Sequence, residues 1–406
     1  MNILFLHRNF PAQFRNLAPA LASNPENKVA FITNNENRSA KNIIKVQYKL
    51  KREVPADCHR YLRFFEESVI HGQSCAEAAY ALKEKGFIPD VIFGHTWGNT
   101  LYMKDVFPEA KLLCYFEWFY NAKGGDIGFA GDEQSIDDLA KLRTKNAHLL
   151  IDLYSCDRGF CPTKFQRKQF PKEFWDKIDV MHDGIDTEYC VPNENATFTV
   201  KDKNLTFTKN DEIVTYATRG MEAYRGFPEF MRAAEILLKK RPNLHIIIAG
   251  EDRVCYGSKL ANTTYKKMML EQLDLDMNRL HFVGGLPYNE FVHLMQITSA
   301  HVYLTYPFVC SWSLLEAMSC ETPIIASDTE PVTEFVEDGV NGLLFNFFDI
   351  NEQVKQIEYA LDNRKAMLPL RKKARKLIVE NYALKDLLPI HIENIMKLAG
   401  KTTAGV

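Results

Sequence analysis

Two arginines six residues apart, Arg219 and Arg225, follow the apolar run Val214-Thr215-Tyr216-Ala217. Guanidinium groups at the carboxyl end of a strand can neutralise a pyrophosphate through paired, charge-assisted hydrogen bonds. The same residues could equally be solvated loop arginines. Further on, a helix opens at Ser311-Trp312-Ser313 and carries Glu316 in its first turn, after an apolar run at 302–304. A carboxylate there can accept both hydroxyls of a ribose, and the helix N-terminus beside it can hold a phosphate. Against this, Ser313-Leu314-Leu315-Glu316 fits a capping box, in which Glu316 merely bonds its own helix terminus. Two strand-to-glycine exits, Ala249-Gly250-Glu251 and Val283-Gly284-Gly285, complete four loops that could line a nucleotide pocket.

Such loops need a sheet to carry them. Apolar or β-branched runs at 3–6, 29–32, 91–93, 112–115, 149–153 and 178–181 read as strands, as do 213–217, 244–249, 280–283, 302–304 and 324–327. Helical patterns lie between them, including 14–21, 76–85, 228–239, 265–273, 288–298 and 314–319. Strand–helix repetition means parallel sheets covered on both faces. Two such series predict an α/β chain of two Rossmann-like, doubly wound domains facing across a cleft. The first is expected over residues 1–192 and the second over 193–384. A linker hairpin is expected within 193–211, from Thr197-Phe198-Thr199-Val200 and Leu205-Thr206-Phe207-Thr208. A helix over 385–406 is expected to cross back to the first domain.

Composition narrows the partners. With 50 Lys and Arg against 52 Asp and Glu, the net charge of −2 exerts no global pull toward nucleic acid or an anionic membrane. Nine cysteines without CxxC spacing point to a reduced, cytoplasmic chain without structural zinc. No stretch approaches about 18 consecutive apolar residues, so none reads as a membrane span. One patch, Lys164-Phe165-Gln166-Arg167-Lys168-Gln169-Phe170-Pro171-Lys172 with Phe174 and Trp175, interleaves basic and aromatic residues. It reads either as a peripheral dock for the inner membrane face or as a helix packing its aromatics inward. The oligomeric state is left open.

A wider pattern joins these pieces. Leu315-Glu316-Ala317-Met318, Thr322-Pro323-Ile324-Ile325-Ala326-Ser327-Asp328, Glu334, Asp338-Gly339 and Asn341-Gly342-Leu343-Leu344 follow Arg219, Arg225-Gly226 and Asp183-Gly184-Ile185-Asp186. The set resembles the retaining GT-B glycosyltransferases of the glycogen-synthase-like family four (glycosyl transferases group 1), most strongly over 212–345. The resemblance implies transfer of a sugar from a UDP- or GDP-linked donor to a hydroxyl of a glycan, glycolipid or protein acceptor, with retention. It implies no metal and no cofactor besides the nucleotide sugar as co-substrate. Arg219 and Arg225 would take the departing diphosphate and Glu316 the ribose. The backbone of Gly284 and Leu286 would meet the base, and N–H groups near Ser313 would add the helix terminus. Cell-surface polysaccharide, glycolipid or glycoprotein assembly is the implied setting.

The chain departs from that pattern at several points. Phe308 stands where the family has its first acidic residue, Ser311-Trp312 replaces Gly-Leu, and Glu330-Pro331 replaces Gly-Gly. Glu330 could restore a polar contact to the sugar or be a solvated loop charge. In the first domain, Ala12-Gln13 occupies a loop where glycines often approach the donor, which makes Gln13 a candidate contact. Glu117 lies near where many relatives carry a His. It could orient the sugar, act as base or nucleophile, or be a buried Glu paired with a Lys or Arg. His95 has a cleft role or is a hydrogen-bonded structural histidine. Phe308 also motivates a rival: a non-catalytic nucleotide-sugar-binding partner of an active glycosyltransferase. A sugar-nucleotide epimerase on the same fold is a second.

Overall fold

In the computed structural model, which describes residues 1–36 and 38–401, the chain forms two units. One comprises Met1–Gly184 with the described residues from Lys385 onward, the other Ile185–Leu384. Residues 402–406, the end of the helix expected over 385–406, lie outside the described residues. Ile185 already belongs to the second unit: its N–H bonds the Tyr382 carbonyl at 2.8 Å and its carbonyl accepts from the Leu384 N–H at 2.8 Å.

The first unit is built on seven strands: β1 (Asn2–Leu6), β2 (Lys28–Thr33), β3 (Ile43–Gln47), β4 (Val91–His95), β5 (Lys111–Tyr115), β6 (Arg158–Cys161) and β7 (Ile178–Val180). They lie in the order β3-β2-β1-β4-β5-β6-β7, with every pairing parallel. Leu4 stands opposite Ala30 on one side and Ile92 on the other. Residues 3–6 are fully buried, because helices cover both faces of a parallel sheet and leave no strand face for polar residues. The helices are α1 (Leu17–Ser23), α2 (Arg63–Glu84), α3 (Met103–Val106), α4 (Ile136–Lys145), α5 (Ala147–Ser155) and α6 (Lys164–Gln169).

In this unit one expected strand is corrected, two strands are added, and an open choice is narrowed. Residues 149–153 are not a strand but the middle of α5. There His148, Leu149, Asp152 and Leu153 are buried while Leu150, Ile151 and Tyr154 are exposed, a helical period and not an alternating one. Strands β3 and β6 were not anticipated, since β3 is a half-exposed edge and β6 is a four-residue run containing Arg158 and Gly159. The basic-aromatic patch begins as α6, and its Phe165 and Phe170 face the core. Phe165 packs on Trp118 (centroids 5.6 Å) and Phe170 on Phe116 (5.3 Å). That burial takes two of the patch's four aromatics away from a membrane dock, while Phe174 and Trp175 stay half-buried. No helix among the described residues is long and apolar enough to cross a membrane.

The second unit opens with the antiparallel pair β8 (Thr197–Val200) and β9 (Leu205–Thr208), whose Phe198, Val200 and Phe207 enter its core. Its main sheet contains β10 (Ile213–Gly220), β11 (His245–Glu251), β12 (Leu280–Gly284), β13 (Ala300–Tyr303), β14 (Ile324–Ser327) and β15 (Leu343–Phe345). The order is β12-β11-β10-β13-β14-β15, again parallel throughout. Alternating with these strands are α7 (Phe227–Lys240), α8 (Tyr265–Gln272), α9 (Tyr288–Ile297), α10 (Trp312–Ser319), α11 (Glu330–Thr333), α12 (Ile350–Asp362) and α13 (Arg364–Asn381). The last helix, α14 (Leu384–Leu398), sets Leu388, Ile392 and Ile395 into a core of the first unit with Phe160, and His391 Nε2 lies 3.0 Å from the His182 carbonyl.

In each sheet the chain order reverses once, between β1 and β4 and between β10 and β13. Crevices at the carboxyl ends of strands beside such a reversal are where open α/β sheets receive ligands. Arg219 lies in the last residues of β10 and Arg225 just beyond it, while His95 ends β4.

Candidate functional site

The second unit's reversal point is built by three loops. β10 delivers Arg219 and turns sharply, and Gly226 closes the turn with φ +64° as N-cap of α7. A Cβ at Gly226 would fall 2.5 Å from Leu304 Cβ, so the close approach of turn and β13 exit requires glycine. The turn folds Arg225 inward. Its Nη1 donates to Thr305 Oγ1 (2.7 Å) and to Tyr303 Oη (3.4 Å), and its guanidinium lies 4.9 Å from the centre of the Tyr256 ring.

Two residues hold this arrangement. Glu222, fully buried, accepts backbone N–H bonds from Cys255 (3.1 Å), Tyr256 (3.0 Å) and Gly257 (2.7 Å), which folds that loop over Arg225. Tyr303 accepts the Ser311 N–H at 2.7 Å, linking Arg225 to the start of α10. Ser311 is the N-cap there, its Oγ accepting from the Ser313 N–H (3.3 Å) and from Ser313 Oγ (2.9 Å). The cap is therefore Ser311 and not Ser313, and Glu316 lies beyond the first turn. Instead of closing a capping box, Glu316 Oε1 accepts from the Tyr288 hydroxyl at 3.0 Å.

A pocket of about 350 Å³ opens at these strand ends, lined among others by Thr218, Arg219, Gly285, Leu286, Ser313 and Glu316. Of the expected residues, Arg219, Leu286, Ser313 and Glu316 share its wall. Gly284, at φ +69°, shapes the β12 exit that presents Gly285 and Leu286. Arg225 is off the wall and reaches it through Tyr303 and Ser311. Glu330 is exposed at the start of α11, away from the pocket lining. Phe308, in the place of the family's acidic residue, is buried against Tyr224 (5.8 Å) and Tyr256 (5.2 Å).

Sequence reasoning missed Glu222, Tyr288 and the Glu251–Arg253 ion pair (2.6 Å), whose two members and Tyr288 also line the pocket. Glu251 was visible in the glycine exit after β11. Tyr288, at the first position of α9, carried no signal of its own. Among the described residues no group of three or more His, Cys, Asp or Glu is arranged to hold a metal ion.

The first unit gathers its own candidates at the β1–β4 reversal. His95 is fully buried, with Nε2 3.6 Å from Glu117 Oε2, and Gln13 Nε2 donates to Glu117 Oε1 at 3.3 Å. Glu117 thus faces a histidine and an amide, and among the described residues no Lys or Arg pairs with it. A residue not anticipated, His7, stands 4.9 Å from His95 between ring centroids, its Nδ1 accepting the Asn9 N–H at 2.8 Å. Burial, reinforced by His95, holds the His7 imidazole well below its ordinary pKa, so it is neutral.

Comparison with known proteins bears on both units. Residues 25–190 match the family described as glycosyl transferase family 4 group, and residues 198–377 match glycosyl transferases group 1. D-inositol 3-phosphate glycosyltransferase from Mycolicibacterium smegmatis is 24% identical over 244 residues, covering 59% of this chain and 49% of that protein. An uncharacterized glycosyltransferase from Haemophilus influenzae is 25% identical over 167 residues, 41% of this chain and 44% of that one. The chain spans about half the length of the curated relatives it matches. In fold it is similar to sucrose-phosphate synthase from Thermosynechococcus elongatus (TM-score 0.75, 16% identity, 98% of this chain and 99% of that one). It is also similar to Anabaena HepE solved in complex with UDP-glucose (TM-score 0.69, 14% identity, 98% and 100%). The class these features define is the GT-B fold of two Rossmann-like units. Within it, the chain belongs to the group 1 glycosyltransferase family.

Proposed function

We propose that this chain transfers a sugar from a nucleoside diphosphate donor to an acceptor hydroxyl with retention at the anomeric carbon. The observation that carries the reading is the convergence of Arg219, Glu316, Ser313 and Leu286 on one pocket at the β10–β13 reversal. Glu316 accepts the ribose hydroxyls, and the β12 exit meets the base. Arg219 and the α10 N-terminus meet the diphosphate, with the Arg225 charge behind them.

In the reaction the bond from the anomeric carbon to the diphosphate oxygen breaks, and that oxygen takes up negative charge. Arg219 and Arg225 oppose the growing charge from fixed positions, which lowers the barrier more than it tightens ground-state binding. The acceptor oxygen bonds the anomeric carbon, and its proton passes to the departing diphosphate on the same face. Retention rests on the family resemblance. In the first unit, Glu117, steadied by Gln13 and facing His95, is the candidate to orient a sugar hydroxyl. The nucleotide sugar is the only co-substrate proposed, and the acceptor is a glycan, glycolipid or protein hydroxyl.

A thermal-shift screen over UDP- and GDP-sugars tests the donor, because a ligand that binds only the folded state raises its melting temperature. A UDP-sugar is the first to try, since HepE with this fold is solved with UDP-glucose. Stabilisation by a nucleotide sugar, reduced in Glu316→Gln, is the expected result. Absence of any shift across the panel overturns the reading. A second reading, a nucleotide-sugar-binding partner without transfer, is favoured by Phe308, which puts an aromatic ring where a carboxylate would meet the sugar. Donor binding without acceptor-dependent nucleotide release would select it.

A further inference from the structure

Tyr288 begins α9 immediately after Pro287, at the exit of β12. Its ring stacks on Tyr189, with centroids 5.3 Å apart and planes inclined by 12°. Its hydroxyl lies 3.0 Å from Glu316 Oε1 and 3.2 Å from Cys190 Sγ, and both Tyr288 and Glu316 line the nucleotide-sized pocket. The ring is thus held on one face and at its tip. Burial, and after it the Glu316 charge, push the phenol above its ordinary pKa, so the hydroxyl stays protonated and donates to the carboxylate. A glutamate side chain has three rotatable bonds, and anchoring one of its oxygens fixes the plane in which it can accept two adjacent hydroxyls.

We infer that Tyr288 is a positioning residue that orients the Glu316 carboxylate toward the ribose diol, and so sets a preference for ribonucleoside over 2′-deoxyribonucleoside diphosphates. The inference rests on the donor-pocket reading above. It assigns to Tyr288 no contact with the reacting atoms.

Calorimetric titration with UDP, 2′-deoxy-UDP, GDP and 2′-deoxy-GDP tests it on the wild type, Tyr288→Phe, Glu316→Gln and the double variant. The wild type is expected to prefer the ribo form by roughly tenfold or more, the scale of one hydrogen bond to a charged group. Tyr288→Phe keeps the ring and its stack on Tyr189, and its melting temperature checks that the fold survives. It should weaken the ribo form several-fold and leave the deoxy form nearly unchanged. Glu316→Gln should abolish the preference, with Tyr288→Phe adding nothing further in that background. Equal weakening of both forms by Tyr288→Phe, or an unchanged ratio, overturns the inference and leaves the pocket reading standing. A wild type that binds none of the four nucleotides overturns both.

Discussion

Arg225 Nη1 stands 2.7 Å from Thr305 Oγ1, inside a shell of hydroxyls and an aromatic face, and no carboxylate among the described residues forms an ion pair with it. Burying a guanidinium without an anion is costly, and neutral hydroxyls offset only part of that cost. A charge left in this condition just behind a pocket wall acts at short range on an anion bound at that wall. Arg225→Ala is therefore expected to cut turnover roughly 100-fold, the usual effect of removing a preorganised transition-state partner. Arg225→Lys should not restore it, because an ammonium cannot reproduce the planar fork that meets Thr305 and Tyr303 together. Steady-state nucleotide release measures both variants. Near-wild-type turnover in Arg225→Ala would remove the residue from the mechanism.

The Glu222 carboxylate occupies a concavity formed by three successive N–H groups, those of Cys255, Tyr256 and Gly257. Charge-assisted bonds of this kind are strong, and a neutral amide in their place turns one acceptor into a donor facing donors. Glu222→Gln should cost about 2 kcal/mol in chemical denaturation. Limited proteolysis should cut faster near Tyr256, and turnover should fall as that ring leaves Arg225. If stability and cleavage match the wild type, the loop has another anchor.

What could be read from the chain follows the physics of burial. Ile246-Ile247-Ile248 announced a strand because a parallel sheet buried on both faces leaves a continuous apolar run. Over 149–153 the same rule misled, since a short apolar run does not distinguish a strand from a helix, and only the exposure of Leu150, Ile151 and Tyr154 does. The three residues of β15 are too few to give a period. On the pocket wall, Arg219 and Glu316 were singled out because each belongs to a local sequence pattern, the end of β10 and the first half of α10. Tyr288 and Glu222 were not, since their partners lie 28 and 33 to 35 residues away and meet them only in the folded unit.

Gly226 carries both a positive φ and a contact that admits no side chain, so Gly226→Ala combines two penalties. An alanine at φ +64° is strained, and its Cβ would fall within 2.5 Å of Leu304 Cβ. The turn must shift, at an expected cost of roughly 2 kcal/mol. Because Arg225 precedes it, the shift also draws the guanidinium from Thr305. The variant should thus lose turnover at temperatures well below its own melting transition. Lowered stability with intact turnover would separate the turn's packing from the placement of Arg225.

Asp152, inside α5 of the first unit, is fully buried, with Oδ2 accepting from Thr100 Oγ1 at 2.9 Å and Oδ1 without a partner among the described residues. Burial pushes its carboxyl up to about 7, against a smaller opposing effect of the Thr100 bond. The unfolded chain releases this proton near the ordinary carboxylate value, about 3.9. Between those two values the folded state holds a proton that the unfolded state has lost. Stability therefore falls as pH rises from about 4 to about 7 and levels off above. Buried imidazoles such as His148, which burial lowers to about 3, act in the opposite direction: they destabilise the fold as pH falls below the ordinary histidine value. The wild-type profile alone thus mixes the two, and a difference isolates Asp152. Asp152→Asn imitates the protonated carboxyl, so its stability advantage over the wild type should grow across that window by at most about 4 kcal/mol. Urea denaturation of both proteins from about pH 4 to pH 8 measures the difference. Parallel profiles would mean that Asp152 is ionised in the folded unit and that its charge is met by a group other than Thr100.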